Sequence, residues 1–248
     1  MNKPQNFKSL LNRFFYFGLF AIGLFFTWQW TTYQSRDLPE GIFISNDSIG
    51  ISEIADYYCF QPRTVTKQHS ILFFPERFAD PKAYAALANQ VASQGFTTYI
   101  IKSKRRSPLG DYNKISTLFP LTKQKFVLAG HGRGAQAAAL FTSKNTDVVK
   151  GLILFGATIP PECDLSSSSP PMLSIYTQNG SINKDRNLSY QHLLPPNAEY
   201  KHIAGGNHAQ FAYLGSLLSD GKASISRLEQ QNILAESILK FLNQLEKQ

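Results

Sequence analysis

Apolar and charged positions fall into two regimes along this chain. From Phe14 to Trp30 there is no charged residue, and the uncharged window extends to Ser35. The run FFYFGLFAIGLFFTWQW is apolar on every side, whereas a helix buried in a soluble core keeps a polar face. About 20 mostly apolar residues suffice to cross a bilayer. Trp28, Trp30 and Tyr33 stand at its end, where amphipathic rings favour the water–lipid boundary. The run ends in Trp-Gln-Trp-Thr-Thr-Tyr, a poor signal-peptidase site, which favours an uncleaved anchor. The sequence therefore predicts a cytoplasmic N-terminus over 1–13, a transmembrane anchor over 14–33 and a folded domain over 37–248. Orientation follows from charge. Lys3, Lys8 and Arg13 precede the segment, so the positive-inside rule places the folded domain outside the cytoplasm, on a single-pass cell-membrane protein.

Beyond Asp37 the pattern changes to short apolar runs alternating with helical periodicity. Ile42–Ser45, Tyr57–Phe60, Ser70–Phe74, Thr97–Lys102, Lys125–Ala129, Gly151–Phe155, Met172–Tyr176 and Tyr200–Ile203 read as strands. Pro81 opens a helix in which Tyr84, Leu87, Ala88 and Val91 recur at helical spacing until Gly95 ends it. An Ala-rich helix covers Ala135–Phe141. The last helix starts near Ser226, with Glu229 three residues on, and carries an apolar stripe of Leu234, Ile238, Phe241, Leu242 and Leu245. This alternation predicts one α/β domain with a mainly parallel sheet covered by helices on both faces.

Composition agrees. The chain has 248 residues, 43% hydrophobic and 17% charged, which supports a sizeable core and excludes bulk disorder. Lys and Arg number 25 against 17 Asp and Glu, a net charge of +8. Setting aside the three N-terminal bases leaves +5 for the exported part, which fits an anionic lipid surface nearby without demonstrating one. Two cysteines, Cys59 and Cys163, exclude a disulfide framework, and no CxxC pair suggests structural zinc. An oxidising compartment would permit them to pair, but sequence does not say whether they meet.

The candidate chemistry centres on Phe126–Gln136, FVLAGHGRGAQ. A strand enters a Gly-x-x-x-Gly turn that opens onto a helix, the setting of the nucleophile elbow G-x-S-x-G. Here the frame is Gly130-His131-Gly132-Arg133-Gly134, so the nucleophile position holds Gly132, which has nothing to attack with.

On these residues the chain resembles the α/β-hydrolase superfamily, and within it a dienelactone-hydrolase-like branch that often carries an N-terminal membrane segment. Ile71–Gly95 is similar to that branch's strand, oxyanion loop and first helix, and Gly151–Ala157 to the strand after the elbow helix. Ala204–Phe211 (AGGNHAQF) is similar to its histidine loop, and Asp220–Gln231 to the run that follows. The likeness spans roughly Gly41 to the C-terminus and implies an α/β-hydrolase fold. It also implies that His208 stands at the catalytic histidine, which is either a working base or a retained structural residue. The triad acid position aligns with Gly180, which has no carboxylate; Asp185, five residues later, is a possible substitute. The oxyanion loop reads Pro75-Glu76-Arg77 where the family has paired glycines.

Three departures thus fall on three parts of one mechanism, so the sequence points to a catalytically degenerate member. The alternative is an ester or lactone hydrolase that uses His208 with a relocated nucleophile, for which Ser103, Thr158 and Ser181 lie in loops after strands. His131 and His208 lack a matched carboxylate, so neither a metal nor another cofactor is expected. A second feature is basic. Lys104, Arg105 and Arg106 follow a strand end, and Arg77 and Arg133 should share the same rim, which suits an anionic small molecule or lipid headgroup. The alternative for this run is a solvated basic loop. No nucleic-acid recognition motif is present.

Overall fold

The computed structural model describes residues 5–167, 170–180, 191–218 and 220–247. Helix α1 runs Gln5–Thr32. Of it, Ser9–Thr32 is long and apolar enough to cross a membrane, and its most apolar stretch is not buried against protein, although Thr32 at its end is. Its Leu, Ile and Phe side chains from Leu10 to Phe26 are all exposed.

The domain is built on eight strands: β1 (Ile49–Glu53), β2 (Tyr57–Pro62), β3 (His69–Phe74), β4 (Thr98–Ile101), β5 (Lys125–His131), β6 (Val149–Phe155), β7 (Met172–Thr177) and β8 (Glu199–Ile203). They form one sheet in the order β1-β2-β4-β3-β5-β6-β7-β8. The β1/β2 and β2/β4 pairs are antiparallel and every other pair is parallel. The parallel strands other than the edge strand β8 are near-continuous apolar runs because helices cover both faces. Helices α2 (Ala85–Ser93) and α5 (Arg227–Leu245) enclose one core, which includes Phe73, Phe155, Leu234, Ile238 and Phe241. On the other face, α3 (Ile115–Leu118) and α4 (Arg133–Lys144) close over Leu72, Phe126, Leu128 and Leu154.

Local signals account for the helix ends. Asp80 caps a short turn at Pro81–Tyr84 by accepting from Lys82 N–H, and α2 continues from it. Gly95 stops α2 with φ +98°, a conformation that only glycine adopts without strain. The Ser226 hydroxyl accepts from Glu229 N–H at the start of α5, and the whole apolar stripe of that helix is buried. Just past α5, Glu246 reaches the first residue of β3, where it bonds His69 Nδ1 at 2.5 Å and His69 N–H at 3.0 Å.

Two expectations change. Ile42–Ser45 is not a strand but a series of turns around Gly41 (φ +70°), and Ile42 and Phe43 pack onto the core as loop residues. The first strand is instead Ile49–Glu53, an edge strand with only Ile49 buried. Cys59 and Cys163 are both free and buried.

The end of α1 is fastened to the domain. Gly215 N–H donates to Thr32 O at 2.9 Å, Arg36 N–H to Tyr213 O at 2.9 Å, and Asp80 N–H to Tyr33 O at 2.8 Å. A side chain at Gly215 would press on the Thr32 backbone at 3.2 Å, so glycine lets the two segments meet.

Candidate functional site

At the end of β5 the chain makes the sharp turn its glycines foretell. Gly132 has φ +51° and ψ −113°, and α4 starts at the next residue. Strand and helix approach so closely that a Cβ on Gly134 would lie 2.0 Å from Phe74 O, and one on Gly130 would lie 2.4 Å from the Gly134 carbonyl carbon. The elbow backbone is therefore intact.

What fills the elbow is a neighbouring carboxylate. A Cβ built on Gly132 would fall 1.4 Å from Glu76 Oε2. Glu76 belongs to the loop after β3, and its Oε1 accepts the backbone N–H of Arg77 at 2.5 Å and of Arg133 at 3.1 Å. In this turn, the N–H after the nucleophile and one from the β3 loop are the donors that hold an oxyanion. Glu76 Oε1 sits where that oxyanion would sit, and Oε2 sits where a serine side chain would begin.

The same carboxylate faces two histidines. His208 Nε2 lies 3.4 Å from Glu76 Oε2. The His131 and His208 rings stack obliquely with centroids 4.2 Å apart. His131 has no exposed surface, and its Nδ1 shares a 2.8 Å hydrogen bond with the Tyr84 hydroxyl. That hydroxyl also accepts Glu76 N–H at 3.1 Å. Burial holds the His131 imidazole well below its ordinary pKa, with a smaller contribution from the charge of His208. Burial also pushes the Tyr84 hydroxyl well up. His131 Nε2 has no hydrogen-bond partner among the described residues.

The histidine loop is held from behind. Asp220 accepts His208 N–H at 3.0 Å and Ala209 N–H at 2.6 Å, and its burial raises its own pKa. Gln230 grips Asn207, donating to its carbonyl at 2.8 Å and accepting its N–H at 3.0 Å. The imidazole itself has less support, since His208 Nδ1 is buried without a partner among the described residues. Gly180 lies beside this loop, and a Cβ there would be 3.6 Å from His208 Cβ. The aligned acid position thus adjoins the histidine but carries no carboxylate. Asp185 and Ser181 lie outside the described residues.

The structure brings together Gly132, His208 and Gly180, with Arg77 and Arg133 contributing their backbone N–H groups. The Arg133 side chain turns to Gln136 at 3.0 Å, and the Arg77 guanidinium lies over the Phe78 ring at 4.4 Å; both residues are exposed. The single basic rim expected from sequence is therefore divided. Arg105 and Arg106 line a separate cleft of about 830 Å³ together with Phe25, Phe26, Trp30, Tyr33, Phe78 and Ser103. Arg106 lies 4.7 Å above the Trp30 ring and bonds Gln34 and the Phe78 carbonyl. Exposed Lys104 does not line this cleft, although its backbone N–H bonds Asp111 at 2.8 Å. Thr158 is buried, and its carbonyl accepts from Gln136. Glu76, Tyr84 and Asp220 escaped the sequence reading as site residues; only the charge in the oxyanion loop hinted at the first.

Comparison with known proteins fits this geometry. A model of the Alpha/beta hydrolase family matches residues 70–232, about two thirds of the chain. The chain belongs to the α/β-hydrolase family. Among solved structures it is similar to Est1E from Butyrivibrio proteoclasticus, with TM-score 0.58 at 10% identity over 81% of this chain and 100% of that one. It is also similar to carboxyl esterase 2 from Tuber melanosporum (TM-score 0.57, 14% identity, 84% and 90% covered). An alpha-beta serine hydrolase homologue from Coxiella burnetii gives TM-score 0.55 at 12% identity over 80% and 98%. No curated protein matches the chain.

Proposed function

We propose that this is a membrane-tethered α/β-hydrolase-fold protein that does not run Ser-His-Asp hydrolysis and that binds an anionic lipid headgroup where its tether meets the domain. The observation that carries the first half is the Glu76 carboxylate, which takes both N–H donors a developing oxyanion needs and the space of the missing serine. Loss of a triad member leaves only residual catalysis from the oxyanion hole and binding, and here that hole is already filled.

The second half rests on the cleft beside α1. Arg105 and Arg106 offer planar forks suited to phosphate, next to Phe25, Phe26 and Trp30 of an apolar helix. Phe78, Arg105 and Arg106 all have positive φ (66°, 53° and 51°), a strained state for bulky residues. Such strain gathers at ligand clamps. With 1–13 in the cytoplasm and α1 as anchor, the cleft lies at the outer membrane face, in reach of headgroups.

A second reading keeps hydrolytic activity. Glu76 Oε2, 3.4 Å from His208, is then the relocated nucleophile that turns over esters or lactones. Two measurements on the full-length protein in detergent separate these outcomes. Serine-reactive fluorophosphonate should leave it unlabelled, and acyl esters and lactones should not turn over; turnover abolished by Glu76→Gln would install the second reading. Native mass spectrometry should show retention of phosphatidylglycerol over phosphatidylcholine, lost in Arg105→Ala/Arg106→Ala and kept in Arg133→Ala. Equal retention of both lipids, or no loss in the double variant, would remove the lipid claim.

A further inference from the structure

The chemistry of the plugged centre suggests an occupant of its own. Glu76, His131 and His208 each offer a ligand atom, and the three atoms lie within 4.8 Å of one another. A tetrahedral zinc site with bonds of about 2.0–2.1 Å separates its ligands by about 3.3 Å. The His208 Nε2 to Glu76 Oε2 separation of 3.4 Å is already that edge. The other two separations are at most 4.8 Å and shorten when the ion binds.

Two features distinguish this group from a chance cluster. His131 Nε2 is wholly buried and unpaired among the described residues, a costly state for a polar atom in a protein interior. It becomes satisfied if it ligates a cation. The outer shell is also in place. Tyr84 holds His131 Nδ1, which fixes the ring and leaves Nε2 free to coordinate when Nδ1 carries the proton. Arg77 and Arg133 N–H groups hold Glu76 Oε1, which leaves Oε2 for the ion. Access exists too, since the side chains of Glu76 and His208 keep 12% and 10% exposure.

We propose that Glu76, His131 and His208 form a binding site for one divalent transition metal of the zinc type, with water in a fourth position. Two imidazoles and a carboxylate, without thiolate, suit zinc rather than magnesium or calcium. The ion neutralises the carboxylate at the heart of the fold and ties the β3 loop, the elbow and the histidine loop to one point.

The test uses full-length protein in detergent, purified through a tag that contains no histidine, stripped with chelator and then dialysed against zinc. Elemental analysis should find about one zinc per chain, accompanied by a rise in melting temperature. X-ray absorption on the wild-type zinc form should show two imidazoles and oxygen donors. Glu76→Gln and His208→Gln should each weaken zinc binding by tenfold or more, whereas Arg105→Ala/Arg106→Ala should leave it unchanged, which separates this site from the lipid cleft. Zinc uptake equal to wild type in both site variants, a wild-type spectrum without imidazole, or no retained zinc would each overturn the proposal. Should one variant fail to fold, the other variant and the wild-type spectrum still decide.

Discussion

In the histidine loop, side chains from elsewhere hold a backbone in place: Asp220 takes two N–H groups and Gln230 grips Asn207 at both ends. In the elbow, the backbone is shaped by missing side chains at Gly130, Gly132 and Gly134, and one foreign carboxylate then enters the vacated space. A loop fixed by buried hydrogen bonds keeps its shape whether or not its histidine has a catalytic partner. A turn fixed by glycines keeps its shape too, but its chemistry passes to whatever reaches into it. Scaffold and reactive group are therefore separable here, and the fold alone does not fix the chemistry of the site.

The largest effect should come from adding a serine side chain at the elbow. Gly132→Ser places Cβ 1.4 Å from Glu76 Oε2 at a backbone position with φ +51°, so the carboxylate must swing aside and the serine backbone is strained, and we expect a loss of about 3 kcal/mol, read by thermal melts. No fluorophosphonate labelling should follow, because His208 Nδ1 has no carboxylate partner among the described residues.

On the opposite side, Asp220→Ala strands two backbone N–H groups and should cost about 2 kcal/mol. Hydrogen exchange should speed up across 205–211 while Arg77 and Arg133 amides stay protected. Loss of protection at the elbow as well would show that the two loops are one unit rather than two.

The smallest effect lies away from both loops and serves as a reference. Burial alone would raise the Glu246 pKa, but bonds from the His69 side chain and from Gln68 and His69 N–H outweigh it, and the net value lies below 4.5. A depressed carboxylate pKa adds stability above the unfolded value and loses it as pH falls through the folded one. Glu246→Gln should therefore cost about 1 kcal/mol at neutral pH, and the gap to wild type should shrink below about pH 4.5. Chemical denaturation at several pH values reads it.

Much of this was legible in the sequence. The runs that became β3, β5, β6 and β7 are continuous and apolar because both faces are covered, the elbow glycines declared themselves by motif, and His208 is singled out only by the family resemblance. The edge of the sheet was not legible, since half-exposed β1 lacks a clear period while the apolar residues of Ile42–Ser45 pack as turns. Charge proved hardest. The sequence places the Lys104–Arg106 run on the elbow rim, but Arg105 and Arg106 turn to α1. Glu76 reads in sequence as a misplaced charge after Pro75, and only the folded chain brings its carboxylate beneath Gly132.

That placement is the central claim, and a double-mutant cycle tests it directly. Melting free energies of wild type, Gly132→Ser, Glu76→Ala and the double variant give the coupling between the two positions. The account predicts that Glu76→Ala relieves the serine, so that the double variant is more stable than additivity allows by at least about 1 kcal/mol. Strictly additive losses would mean that the carboxylate does not occupy the nucleophile's place.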